Sequence, residues 1–284
     1  MQKKCGMVIV NYNDYQRTKE LIVNVLDYKC LDYIVVVDNN SSDDSFSKLK
    51  KFQSDKIIVI KNDSNKYSAG LNVGAKYLID KLGECLILFS NADIVIQKEK
   101  DLKKLLGDMK DDIVVVGPVV LEQGVLNRGW RLPTVNQEIL FNLPFLSRYF
   151  KKKYLLYEEK KYQDDISYVD VVSGCFFLVD SHFLEKCGYF DEGTFLYYEE
   201  QIFAEMVKEK GKKEIIDNRV KIIHDHSVTI DKSLKRIKKH KVLKESQRYY
   251  LKKYKNANWL QMILLYITDY FYRFILLIRS LVRR

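Results

Sequence analysis

Five short apolar runs, mostly β-branched, stand out in the first half of the chain, at residues 7–10, 34–37, 57–60, 86–89 and 113–116. They lack the alternation of a half-buried strand and read as strands covered on both faces. Amphipathic stretches near residues 17–26, 45–52, 71–81 and 102–109 separate them, and these predict helices. Strand, helix and strand in repetition predict an α/β fold with a mostly parallel central sheet flanked by helices. Ligands of such sheets sit at the carboxyl ends of the strands. The residues after each apolar run are therefore the first place to look for chemistry.

Those residues are polar in a consistent way. The first run ends in Asn11-Tyr12-Asn13, and the second in Asp38-Asn39-Asn40-Ser41-Ser42-Asp43. The third leads to Asn62-Asp63-Ser64-Asn65, and the fourth to Ser90-Asn91-Ala92-Asp93. One such segment alone is turn and helix-cap chemistry. Four on one edge of one sheet point to a binding surface.

The second half is less regular. Residues 121–165 read as irregular, with punctuation near Trp130 and Pro133 and a basic run Lys151-Lys152-Lys153. Strand patterns return at 168–172 and 176–179, followed by a turn at 188–192 and a helix over 198–211 with Ile202, Phe203, Met206 and Val207 facing inward. A last strand at 220–223 ends in His224-Asp225-His226. From 232 to 253 the chain is densely basic, and from 259 to 284 it is apolar and aromatic. At about 100° per residue, Gln261, Thr268, Asp269, Tyr272, Arg273, Arg279, Ser280 and Arg283 share one side. Trp259, Ile263, Ile267, Tyr270, Phe274, Leu277, Ile278 and Leu281 share the other, and Leu265 and Leu276 break the pattern.

With 284 residues and 47% hydrophobic content the chain can bury a substantial core, which excludes a disordered protein. Five cysteines, an odd number with no CxxC pair, suggest neither a disulfide framework nor a zinc site and fit a reducing cytoplasm. The first residues do not read as a signal peptide, and no run of about 18 uncharged apolar residues predicts a spanning helix. A net charge of +10 invites nucleic acid, anionic lipid or phosphorylated substrates as partners. The basic residues gather in the tail and acids crowd the strand ends, an arrangement that would repel nucleic-acid phosphate. No nucleic-acid partner is expected.

Chemistry consistent with this edge is transfer from a diphosphate. A leaving diphosphate gains negative charge, which a divalent cation neutralises, and a hard cation takes carboxylate oxygen and phosphate as ligands. Asp93 is placed to supply a carboxylate. His224 and His226 could add an imidazole, better suited to Mn²⁺ than to Mg²⁺; bonding of His224 to backbone and a surface place for His226 are the plainer alternatives. An acceptor hydroxyl needs a base, and Glu199-Glu200 opens a helix after Phe195-Leu196-Tyr197-Tyr198. A carboxylate pair at a helix N-terminus also satisfies the helix dipole, and the aromatic run serves either as core or as a wall for a sugar.

Seven segments, in order and spacing, resemble the inverting family 2 glycosyltransferases of GT-A fold, and are similar to bacterial members that build rhamnose-containing and related surface polysaccharides. They are VIVNYN at 8–13, VVVDNNSSDDS at 35–45, SAGLNVGA at 68–75, LFSNADI at 88–94, VVSGCFFLV at 171–179, GYFDEGTFLYYEEQIFAEMVKEKG at 188–211 and IIHDHSVT at 222–229. The resemblance implies a catalytic domain over 1–230, with a nucleotide-sugar half to about 120 and an acceptor half beyond it, and a helical tail over 231–284. It implies a nucleoside-diphosphate sugar, UDP- or dTDP-linked, held by Asn11, Tyr12, Asn13, Asp38, Asn40, Gly70, Asn72, Asn91 and Ala92, with Asp38 on the base and Tyr12 beside it. Asp93 and His224 would hold Mn²⁺ or Mg²⁺, Glu200 rather than Glu199 would be the base, and Trp130, Gly174 and Tyr198 would meet a saccharide or lipid-linked acceptor.

Two positions depart from the family pattern: Lys66 stands where glycine is frequent, and Ile202 where many members carry an aspartate. The tail suggests a peripheral place on the anionic inner face of the cell membrane, or packing on the catalytic domain or in a homo-oligomer. A nucleotidyltransferase would share the sheet and metal but would call for a glycine-rich phosphate loop where Asn11-Tyr12-Asn13-Asp14-Tyr15 stands.

Overall fold

The computed structural model describes residues 3–225 and 233–282, and the side chains of 3–225 and 238–275. His226 and the rest of the 226–229 segment lie outside the described residues, as do the side chains of Leu276, Leu277, Ile278, Arg279, Ser280, Leu281 and Arg283.

Each apolar run of the first half is a strand: β1 (Lys4–Asn11), β2 (Tyr33–Asn39), β3 (Ile57–Asn62), β4 (Cys85–Asn91) and, after a two-residue strand β5 (Ile94–Val95), β6 (Ile113–Glu122). Helices α1 (Tyr15–Val25), α2 (Ser45–Leu49), α3 (Tyr67–Leu82) and α4 (Glu99–Asp108) connect them. The second half adds β7 (Val125–Asn127), α5 (Val135–Phe141), α6 (Ser147–Tyr154), β8 (Ile166–Val169), β9 (Phe176–Asp180), α7 (Ser181–Lys186), α8 (Glu199–Glu209) and β10 (Lys213–His224). The tail forms α9 (Ser233–Lys253) and α10 (Trp259–Val282).

The described strands make one sheet in the order β3-β2-β1-β4-β9-β6-β10-β5, with β7 on β6 and β8 on β10. Its nucleus is parallel, β1 lying between β2 and β4. β9 enters antiparallel between β4 and β6, so its first residue, not its last, reaches the edge where β4 ends. Alternate residues separate cleanly in two directions. Met7, Ile9, Ile34 and Val36 join Leu21, Ile22 and Leu105 under α1 and α4. Val8, Val10, Val35 and Val37 join Leu71, Leu78 and Phe203 under α3 and α8. This is the two-sided burial that uninterrupted apolar runs imply.

The stretch 121–165, expected to be irregular, holds α5 and α6. They are seven and eight residues long, too short for periodicity to declare them. The signal was at the helix start, where Thr134 and Gln137 form a reciprocal capping box.

The tail packs on α5 and α8. Tyr250 and Leu251 of α9 are fully buried beside Ile202 of α8, Val135 of α5 and Leu265 of α10. The Tyr250 hydroxyl donates to Glu205 (2.9 Å), and Lys255 pairs with Glu205 (2.6 Å). In α10 the side that faces inward is the polar one. Leu265, which interrupts the amphipathic pattern, is 1% exposed, and Asp269 is buried. Asp269 accepts from Arg248 (3.1 Å) and Arg273 (2.7 Å) and pairs with His240 (2.8 Å). Tyr250→Ala is expected to cost about 3 kcal/mol for lost burial, and Asp269→Asn about 2 kcal/mol for lost charge-assisted bonds. Urea melts indistinguishable from the parent's would show that the tail is not docked in this way.

Candidate active site

The carboxyl edge is first organised by a hydrogen-bonded seam between β1 and β2. Register places Asn11 opposite Asp38, and both are fully buried. Asn11 Nδ2 donates to Asp38 Oδ2 (2.8 Å) and to Ser41 Oγ (3.2 Å). Asp38 Oδ1 accepts the Ser41 amide (3.1 Å), and Thr18 Oγ1 donates to Asn11 Oδ1 (2.8 Å). Asn13 and Asn40 take left-handed backbone angles, φ 52° and 63°, which asparagine tolerates. Asn13 Oδ1 accepts the Ser42 amide (2.8 Å). Tyr12 stands exposed on the rim. Gly70 lies where a Cβ would come within 2.9 Å of Asn39 Oδ1, so its lack of a side chain lets α3 approach the β2 end closely.

A second group forms where β4 turns into β5. β5 pairs antiparallel with the end of β10, Ile94 opposite His224, and the Asp225 amide donates to the Asp93 carbonyl (2.9 Å). This pairing sets His224 Nε2 3.1 Å from Asp93 Oδ1. Arg17 Nη1 lies 3.6 Å from Asp93 Oδ2, and Glu122 Oε2 3.8 Å from His224 Nδ1. Burial opposes the imidazolium charge of His224, but bonds to Asp93 and Cys175 outweigh it and raise its pKa to about 10. Among the described residues no cluster of three or more His, Cys, Asp or Glu side chains is disposed to enclose a metal. The Asp93–His224 pair suits a cation that takes its remaining ligands from a diphosphate and displaces the His224 proton on binding, since a ligating imidazole is neutral.

The third group lies at the start of α8. Tyr197 and Tyr198 are both left-handed, φ 73° and 69°, an uncommon pair for bulky residues, and they lead directly into Glu199 and Glu200. Gly174 faces this turn: a Cβ there would sit 2.6 Å from Glu200 Cγ. Tyr67 ties the group to β4, its hydroxyl lying 2.7 Å from Asn91 Oδ1 and 3.2 Å from the Gly174 carbonyl. Glu199 Oε2 is sealed, with no hydrogen-bond partner among the described residues. Burial and the neighbouring Glu200 charge push the Glu199 pKa far up. Burial also raises Glu200, against which the amides of Glu200 and Gly174 act. The Glu199 and Tyr197 amides oppose the rise at Glu199 in the same way, and the net effect holds both carboxyls toward their neutral forms.

Other expected residues lie elsewhere or are already engaged. The Asn72 amide clasps the Phe190 backbone (2.9 and 3.0 Å) and donates to Glu192 (2.8 Å). The Tyr198 hydroxyl turns away to Glu138 (2.9 Å), with its ring 5.4 Å from that of Tyr250. Of the proposed aromatic wall, Phe195 is exposed and Tyr197 half-buried. Trp130 is half-buried and bridges to Val171, while Ala92 packs on the core. Arg17, Tyr67 and Glu214 were not anticipated. Glu214 shares a small buried cavity with the Glu199–Glu200 pair and accepts the Val172 amide (2.8 Å); burial pushes its pKa far up. An acid within a strand was its only signal.

The family description Glycosyl transferase family 2 matches residues 7–187, well over half of the 284. The chain belongs to this family. A curated relative, the low-salt glycan biosynthesis hexosyltransferase Agl10 of Haloferax volcanii, is 27% identical over 221 residues, covering 75% of this chain. The chain spans 65% of that relative's length. Among solved structures, GalNAc-T7 with UDP, GalNAc and Mn²⁺ superposes with a TM-score of 0.63 at 15% identity, covering 88% of this chain and 48% of the other. The mannosyltransferase PcManGT of Pyrobaculum calidifontis, in complex with GDP-Man and Mn²⁺, gives 0.60 at 13% identity, covering 95% and 70%. The fold is that of the GT-A glycosyltransferases.

In this family 2 member, Glu199 carries a testable signature. A carboxyl whose folded pKa exceeds its unfolded value binds more protons when folded, so stability falls as pH rises above the unfolded value of about 4.3. Glu199→Gln removes that loss. Its melting temperature is expected to exceed the parent's at pH 8, with the gap closing toward pH 4; a gap that does not depend on pH would contradict the raised Glu199 pKa.

Proposed function

We propose that the protein is an inverting glycosyltransferase of hexosyl or rhamnosyl type. It would move a sugar from a UDP- or dTDP-linked donor to a saccharide or lipid-linked saccharide in surface-polysaccharide synthesis, at the inner face of the cell membrane. One observation carries this reading: the Asp93–His224 pair and the Glu199–Glu200 pair meet on one sheet edge, joined through Asn91, Tyr67 and Gly174. The family assignment and the nucleotide- and Mn²⁺-containing structures of similar fold support it.

In this reading Asp93 and His224 hold a divalent cation, Mn²⁺ or Mg²⁺, which when bound neutralises the charge of the leaving diphosphate. The Asn11–Asp38 seam shapes the pocket for the base, and Tyr12 offers its exposed ring beside it. Arg17 adds positive charge beside Asp93. Glu200, in its ionised form, accepts the proton of the acceptor hydroxyl as that oxygen attacks the anomeric carbon from the face opposite the diphosphate. Gly174 leaves room for the Glu200 side chain.

A hydrolysis and thermal-shift screen of UDP-, dTDP- and GDP-sugars with Mn²⁺ or Mg²⁺ tests the donor class. Asp93→Ala is expected to abolish metal-stimulated turnover. Glu200→Gln should lower turnover by roughly 10²–10⁴-fold while leaving donor-induced stabilisation intact. If Glu200→Gln kept most turnover and Glu199→Gln did not, the base would be Glu199.

A further inference from the structure

A groove of about 820 Å³ opens where α5 and α6 meet α9 and α10. Its lining holds the cations Arg148, Lys151, Lys152 and Lys244 together with His240, and no Asp or Glu. Lys244 is only 8% exposed. Its ammonium donates to amide oxygens, Asn142 Oδ1 and Gln247 Oε1 (3.0 Å). Burial pulls its pKa down to about 8, against the opposing pull of the nearby Glu138 and Asp269 charges.

Tyr272 and Ile275 of α10 line the same groove, and on the outer side of that helix Ile263, Ile267, Tyr270 and Phe274 are exposed, Tyr270 by 75%. The helix cannot roll to hide this stripe. Rolling would pull Leu265 from the core and break the contacts of Asp269 with His240, Arg248 and Arg273. A contiguous apolar stripe beside a basic groove matches the two layers of a bilayer interface, acyl boundary and phosphate. A second copy of this chain fits less well, because a two-fold contact here would bring two basic grooves into one interface. No helix among the described residues is long and apolar enough to cross a membrane, so the contact is one of lying on the surface.

We propose that this corner docks on an anionic phospholipid surface, with head-group phosphate seated in the groove on Lys151, Lys152 and Lys244 and the α10 stripe at the acyl boundary. The proposal does not rest on the glycosyl-transfer reading, and its test needs no sugar. Full-length protein is floated with vesicles of phosphatidylcholine alone or mixed with phosphatidylglycerol, at low and raised salt. Binding is expected to the mixed vesicles, to weaken with salt, and to fall roughly tenfold or more in Lys151→Glu/Lys152→Glu. It should also fall in Ile267→Glu/Tyr270→Glu. All four positions are exposed, and unchanged circular dichroism and melting confirm that each variant is folded. Equal binding to neutral vesicles, no binding to either kind, or full binding by the lysine variant overturns the proposal. So does a dimer in light scattering that Ile267→Glu/Tyr270→Glu converts to monomer.

Discussion

Strands β1, β2 and β4 are covered on both faces, which leaves polar side chains only the strand ends at which to sit. The arrangement of the molecule follows from this constraint. Asn11 and Asp38 appear where β1 and β2 emerge from the core, and they satisfy each other before solvent is reached. Asn91 and Asp93 appear where β4 emerges. Because β9 runs against β4, the chain around Gly174 arrives at the same edge from the other direction. Because β10 pairs with β5, His224 arrives there too. One sheet edge thus gathers groups from five strands without any of them entering the apolar layers.

That logic explains what was legible in the residues alone. Runs of β-branched residues declare buried strands by themselves, and the rule that ligands meet the carboxyl edge then singles out Asp38 and Asp93. Contacts between distant positions are less visible. His224 meets Asp93 through a two-residue strand too short to announce itself. Tyr67 joins Asn91 to Gly174 across more than a hundred residues, and no local pattern encodes that meeting. Asn72 and Tyr198 show the same limit: their motifs do not announce that the Phe190 backbone and Glu138 engage them.

The tail shows why amphipathicity identifies two sides of a helix without saying which side turns inward. The broad apolar side of α10 would be the natural choice for the core. A single leucine, Leu265, and a carboxylate paired with Arg248, Arg273 and the His240 ring turn the helix the other way. Local ion pairing with a good geometric fit here sets the orientation of the helix, and its broad apolar side is left exposed.

The antiparallel course of β9 has a consequence for how such a molecule can diversify. Everything between β6 and β9, including α5 and α6, is an excursion whose two ends are pinned side by side in the sheet, Val115 opposite Val179. Doubling the length of a flexible excursion costs only about 0.6 kcal/mol of closure entropy. The strands that carry Asn11, Asp38 and Asp93 do not depend on what the excursion contains. Segments of new length or composition can therefore be tried opposite unchanged β1, β2 and β4, which makes this fold modular along its own chain.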